Sequence, residues 1–426
     1  MVKNKKLLLI SLRDPFLDSD RVMPPIGVMS LQSYMLSLGF DSKIENDFDL
    51  YNIDKYHEYT HFAISCMTPQ KKQAYSILNI IKLRFNDKSV IIGGPHTQYY
   101  LEDCVKEPFD YIIVGDGEYS LRAVIEGKAS QRILNIPITS AEMNKLPVPY
   151  REPEFLKQYN FNIQGINAST ILTAKGCPMS CAFCEDAGTK VRLYNPENID
   201  IQIKDVLNAG FKGIMFFDDI FAISKKRIKD LVYVIGRYNI SFRCFGHAKS
   251  MTDEMAKLLS DSGCIEVGFG AESGSQRILS AINKRTTVEE NIKFIEICNK
   301  YGIRVKAFII IGLPGEDFTT IEETKKFLDI LLSNKFTNKF GKEVTNDFDI
   351  TVYFPYKGTK IRSAMDKNSG EYDIYFSQNP DDLQGFYKGR GGSTEISVRT
   401  SLLDSGLIQK TQKELLTEYK RKVINH

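Results

Sequence analysis

The stretch TAKGCPMSCAFCEDAG, residues 173–188, sets Cys177, Cys181 and Cys184 within eight positions of a chain that has eight cysteines in all. Thiols so crowded can hold iron or zinc, or can be unrelated buried side chains. Structural zinc usually takes four protein ligands, and no histidine stands within sixty residues to complete a set. An iron–sulfur cluster held by three thiolates, with one iron left open for a substrate or cofactor, suits the count better. Gly176 and Pro178 favour a tight loop around such a group, and Phe183 offers an aromatic face beside it.

The elements that must position this loop alternate along the chain. Apolar runs near 169–174, 212–217, 241–247, 264–269, 304–311 and 348–354 read as strands. Amphipathic stretches near 197–209, 224–237, 253–261, 275–301 (broken around Lys284 to Thr287) and 319–334 read as helices between them. Six strand–helix units predict a partial (β/α)6 TIM barrel over 166–360, with chemistry at the carboxyl ends of its strands. The cysteines follow the first of those strands.

Upstream, KLLLISL, HFAIS, SVIIGG and DYIIVG are short and almost wholly apolar, as strands buried on both faces of a parallel sheet should be. Residues 1–130 therefore predict an α/β doubly wound, Rossmann-like domain whose ligand lies beyond the carboxyl ends of its strands. Residues 131–165, with Pro137, Pro147, Pro149 and Pro153, read as a linker. Residues 361–426 predict a small, mainly helical region on the substrate side, with a flexible loop at 387–395 and a closing amphipathic helix.

Composition narrows the partners. Hydrophobic content of 42%, charged content of 26% and a net charge of +3 describe a soluble globular chain without a field that would draw nucleic acid or a membrane surface. No apolar run is long enough to span a bilayer. The basic start and short apolar run at the N-terminus meet Arg13 and Asp14 at once, which favours a first strand over a signal peptide. Cysteines without a pairing pattern predict a reducing, cytoplasmic setting.

The spacing C-x-x-x-C-x-x-C after a strand resembles the signature of the radical S-adenosylmethionine enzymes. The resemblance implies that Cys177, Cys181 and Cys184 hold a 4Fe-4S cluster whose open iron is chelated by S-adenosylmethionine. Three further segments resemble that family's cosubstrate contacts. MFFDDIF (215–221) offers Asp218 and Asp219 to the amino group, although either aspartate could instead cap a helix. VGFGAESGS (267–275) offers Glu272 and Ser273 to the ribose and carboxylate. AFIIIGLPGED (307–317), with Ile310 and Gly312, offers backbone to the adenine, with Phe183 over the same base.

The N-terminal segments MPPIGVMSLQSYMLSLGF, VIIGGPHTQYY and FDYIIVGDGEYSL resemble the cobalamin-binding domain of cobalamin-dependent members, which makes Gly93, Gly94, His96, Gly115, Gly117 and Glu118 cobalamin-side candidates. The D-x-H-x-x-G motif that supplies a histidine cobalt ligand elsewhere is absent from residues 1–150. His247, Tyr353 and Tyr356 are substrate-side candidates, and Cys244 and Cys264 read as small buried hydrophobes. The resemblance implies a methyltransferase that adds a methyl group to an unactivated carbon of a small molecule or natural product through a 5'-deoxyadenosyl radical and methylcobalamin. It also implies an external electron donor such as flavodoxin or ferredoxin. A non-methylating rearrangement, cyclisation or oxidation on the same cofactors is the alternative.

Overall fold

Continuous apolar runs become strands buried on both faces. The structure, a computed structural model, describes residues 5–13, 21–383 and 395–423. The chain divides into two units, Met1–Tyr159 and Asn160–His426.

In the first unit, β1 (Lys6–Ser11), β2 (Asp41–Glu45), β3 (His61–Ser65), β4 (Ser89–Gly93), β5 (Tyr111–Ile113) and β6 (Ile133–Leu134) form one parallel sheet in the order β2-β1-β3-β4-β5-β6. Leu8, Ile10, Phe62, Ile64, Val90 and Ile92 pack with Ala74, Ile77, Leu78 and Ile81 of the helix Lys71–Arg84. The alternate residues Leu7, Leu9, Ala63 and Ile91 are buried on the other face. Chain direction across the sheet reverses beside β1, so this is a doubly wound domain with a switch point between β1 and β3. β2 escapes an apolar-run reading because, as an edge strand, it alternates exposed and buried residues. β6 lies within the stretch expected to be a linker and is only two residues long.

The second unit opens with a hairpin of β7 (Phe161–Ile163) and β8 (Ile166–Ile171), followed by the short antiparallel pair β9 (Ala174–Lys175) and β10 (Arg192–Leu193). β11 (Gly213–Phe216), β12 (Ser241–Gly246), β13 (Cys264–Glu272) and β14 (Arg304–Ile311) follow; then come a small hairpin of β15 (Phe336–Thr337) and β16 (Glu343–Val344), and β17 (Asp347–Val352). β8, β11, β12, β13, β14 and β17 are parallel and lie side by side in sequence order, with β7 antiparallel at one edge. This is the expected six-stranded partial barrel. The stretch 275–301, expected to break around Lys284 to Thr287, is two helices, Gln276–Ala281 and Val288–Lys300, the second opened by a capping box between Thr287 and Glu290.

Along β12, β14 and β17 fully buried residues alternate with half-buried ones. On β13, Phe269 stacks on Phe294 of the helix Val288–Lys300 at 4.5 Å between ring centroids. The half-buried set faces inward: Phe245 lies 6.0 Å from Phe217 and 5.9 Å from Phe308. Below this aromatic tier, Arg243 pairs with Glu266 at 3.1 Å, and Lys306 with Asp349 at 3.0 Å. A closed barrel packs its interior fully; here the inward side chains keep part of their surface open to solvent.

The helix Ser405–Lys420 runs beside β17, where the Gln412 side chain donates to the Ile350 carbonyl at 3.1 Å and Lys420 donates to the Phe348 carbonyl. Residues 387–394 of the expected loop lie outside the described residues.

Candidate functional site

The three cysteines sit on the loop that joins β9 to β10. Gly176 has φ +93°, and a Cβ there would lie 2.5 Å from the Lys190 carbonyl oxygen, so the loop's entry requires glycine. Within the loop, the Cys177 amide donates to Thr189 Oγ1 at 2.9 Å and the Gly188 amide to the Met179 carbonyl at 2.6 Å. Other elements clamp it from outside. Asp218, buried just past β11, accepts the amides of Thr173 at 2.6 Å and Ala174 at 3.1 Å, and also the Thr173 hydroxyl. Asp219 accepts the Gly176 amide at 3.2 Å. Asn283 donates to the Ser180 carbonyl at 2.7 Å, Ala182 donates to the Ile282 carbonyl at 2.9 Å, and the Ala182 carbonyl accepts from Ile361 at 3.1 Å. A loop bonded on this many sides presents its thiols in one geometry.

Cys177 and Cys181 are buried and Cys184 is half-buried. Burial pushes all three thiols up, Cys184 to about 12, so as free thiols they are protonated at neutral pH and a bound metal must displace those protons. Among the described residues no three His, Cys, Asp or Glu side chains converge closely enough to hold a single ion. Three thiols spread round one loop fit a polynuclear cluster with one thiolate per iron.

Beside the loop lies an ion pair that sequence reasoning missed in part. Lys284, 9% exposed, holds Glu272, 6% exposed, at 2.6 Å, and its ammonium stands 6.0 Å from the centre of the Phe183 ring. A register shift between Gly270 and Glu272 turns the carboxylate toward the lysine. A Cβ on Gly270 would fall 2.0 Å from Glu272 Oε1 and 2.8 Å from Lys284 Nζ, so the glycine keeps the space open for the pair.

The segment from 171 to 328, which spans β11 to β14 and the whole cysteine loop, matches the family model described as the radical SAM superfamily. A radical SAM domain therefore lies within this chain, over residues 171–328. A curated relative, an uncharacterized methyltransferase of Pyrococcus horikoshii, is 26% identical over 370 residues, which cover 79% of this chain and 77% of the relative. Among solved structures, the cobalamin-dependent S-adenosylmethionine radical enzyme OxsB with aqua-cobalamin bound has a similar fold, with TM-score 0.76 at 16% identity, covering 96% of this chain and 66% of that one. The radical S-adenosylmethionine methyltransferase TsrM from Kitasatospora setae, with cobalamin and a [4Fe-4S] cluster bound, superposes with TM-score 0.69 at 17% identity, covering 88% of this chain and 81% of that one.

Within this half barrel, the remaining expected residues have distinct surroundings. Ile310 is half-buried on the inward face of β14, and Gly312 just beyond donates its amide to Glu316. Glu316 is fully buried, and burial pushes its carboxyl up to about 8. The Ser273 hydroxyl is fully buried against Thr324 at 3.2 Å, because Gly274 packs directly on the backbone of the helix Phe318–Ser333. His247 follows Phe245 by two residues in extended backbone and so shares its inward face. It is 7% exposed, neither ring nitrogen has a hydrogen-bond partner, and burial with Lys284 and Lys249 nearby holds it down at about 4. Tyr353 is buried just after β17, and Tyr356 is half-buried in the turn before the helix Lys360–Asp366, 5.0 Å from Phe354.

In the first unit, Gly93, Gly94, Gly115 and Gly117 stand at or beyond the carboxyl ends of β4 and β5, and Glu118 is buried in the first turn of the helix Glu118–Glu126. Gly94 has φ +98°, and a Cβ there would lie 2.8 Å from the Cys66 carbonyl oxygen, so it is needed by the sheet itself. His96 is fully buried, bonded to Tyr75 at 3.1 Å and to Thr68 at 3.4 Å and stacked on Tyr100, the surroundings of a structural histidine. Among the described residues no helix is long and apolar enough to cross a membrane.

Proposed function

We propose that the chain is a cobalamin-dependent radical S-adenosylmethionine methyltransferase acting on an unactivated carbon of a small molecule. The observation that carries this reading is the clamped loop with Cys177, Cys181 and Cys184 at the mouth of a half barrel and no fourth cysteine in its sequence. The named activity of the Pyrococcus relative and the cobalamin, S-adenosylmethionine and cluster named for OxsB and TsrM support it.

Cys177, Cys181 and Cys184 would hold the cluster, and Phe183, Asp219, Glu272, Ile310 and the backbone at Gly312 would surround S-adenosylmethionine. Asp218 and Ser273 serve that site from behind, since their oxygens already bond within the fold. Gly93, Gly94, Gly115, Gly117 and Glu118 would line the cobalamin side, with His96 supporting them from the core. When bound, these groups supply hydrogen abstraction and a transferable methyl group. The protein's part is orientation and exclusion of water. Phe217, Phe245 and Phe308 give the substrate an apolar wall, and His247 gives it one donor and one acceptor. A low-potential one-electron donor of the flavodoxin or ferredoxin class completes the system.

A non-methylating radical reaction on the same cofactors is the second reading, favoured by a relative from Cereibacter sphaeroides named as an anaerobic magnesium-protoporphyrin IX monomethyl ester cyclase, 25% identical over 294 residues. Protein reconstituted without oxygen with iron, sulfide and hydroxocobalamin tests both. About four irons and one cobalamin per chain, with label passing from methyl-labelled S-adenosylmethionine to product, is the expected result. Deoxyadenosine formation without labelled product would select the second reading, and zinc without iron would end both.

A further inference from the structure

We infer that Lys284 is an electrostatic tuning residue for the cluster: its ammonium, fixed by Glu272 beside the cysteine loop, favours the reduced, more negative state. The inference rests on the reading that Cys177, Cys181 and Cys184 hold a cluster, and adds a role for a side chain outside the ligand set.

Three observations carry it. First, lysine is almost never fully buried without a reason, and stability does not supply one here, because apolar residues of like volume commonly replace a buried ion pair at no loss. Second, the pair is held by unusual backbone. Among the described residues five non-glycine residues have positive φ, and three of them surround the pair: Glu272 at 62°, Asn283 at 53° and Arg285 at 58°. Such conformations persist where neighbours overdetermine them, and here Asn283 is pinned to Ser180 inside the cysteine loop. Third, the ammonium faces the ligand loop directly. It lies over the ring of Phe183, which stands between Cys181 and Cys184 in sequence.

The redox consequence follows from charge alone. One electron from an external donor enters the cluster, no proton need accompany it, and the three-thiolate assembly becomes one unit more negative. A cation held in a low-dielectric site stabilises that product more than its precursor, while Glu272 offsets part of the effect.

The test uses cluster-loaded protein without S-adenosylmethionine, so that binding of the cosubstrate cannot enter. Iron and sulfide content is measured for wild type, Lys284→Met, Lys284→Arg and Glu272→Gln, followed by a redox titration read by electron paramagnetic resonance. Lys284→Met should lower the equilibrium constant for reduction about tenfold, a shift of 59 mV to more negative potential for a one-electron couple. Lys284→Arg should stay near wild type. Glu272→Gln should shift the potential the opposite way, a sign reversal that mere disturbance of the fold would not produce. Equal potentials in loaded wild type and Lys284→Met overturn the inference. Should Lys284→Met not load, Glu272→Gln decides alone, and no positive shift there overturns it. A wild-type chain that takes up no iron and sulfide removes the functional reading first, and this inference with it.

Discussion

Asp218 accepts the backbone amide of Thr173 at 2.6 Å, which ties the end of β11 to the entry of the cysteine loop. Ala174 and the Thr173 hydroxyl share the same carboxylate, and Arg227 donates to the Thr173 carbonyl at 2.8 Å. Asp218→Ala would strand these donors in the interior at about 1–3 kcal/mol each. The expected outcome is a clear loss of stability in urea unfolding and a lower iron content after reconstitution, with Asp218→Asn closer to wild type because it keeps an acceptor.

His247 has the opposite profile. An imidazole buried without partners is a cost to the unliganded fold, so His247→Phe should leave the melting temperature of the ligand-free protein unchanged or higher. Product formation from substrate in that variant should fall at least about tenfold, as expected when a polar contact to bound substrate is removed. A drop in melting temperature would mark the histidine as structural.

Gly270→Ala tests the space kept for the buried ion pair. The added methyl must displace Glu272 or Lys284, with an expected loss of about 1–3 kcal/mol. Glu272→Gln in the same background should lose less further stability than it does alone, and a double-mutant cycle measures that coupling.

The base of the half barrel predicts an acid-dependent term. Burial alone would raise Asp347, but Lys306 at 3.3 Å and Lys420 at 2.7 Å hold it down at about 2. Its stabilising contribution is present above the ordinary carboxylate range near 4 and is lost as pH falls toward about 2. Between pH 5 and pH 2, wild type should therefore lose about 2 kcal/mol more than Asp347→Asn in denaturant unfolding of the metal-free chain.

The barrel strands were legible because each is an apolar run between helices of ordinary length, and the thiol loop because its spacing is confined to eight residues. β2 was not, since an edge strand that alternates exposed and buried residues looks like any polar segment. Lys284 was invisible for a different reason: in NKRTT it reads as a solvent-facing loop charge, and only the register shift at Gly270, on a distant strand, turns Glu272 to meet it. The same limit applies to Ser273 and His96, whose partners Thr324 and Tyr75 lie 51 and 21 residues away in the chain. Spacing within a motif reports local chemistry; which way a side chain turns depends on neighbours that only folding supplies.

The hydrogen bonds from Gln412 and Lys420 to the carbonyls of Ile350 and Phe348 have a colloidal consequence. β17 is the terminal strand of the half barrel, and a terminal strand with free carbonyls and amides is a template for pairing with another chain. By occupying alternate carbonyls along that margin, the helix Ser405–Lys420 keeps one molecule from extending the sheet of the next. A chain shortened before residue 405 should therefore fail first by self-association, before its interior packing is lost.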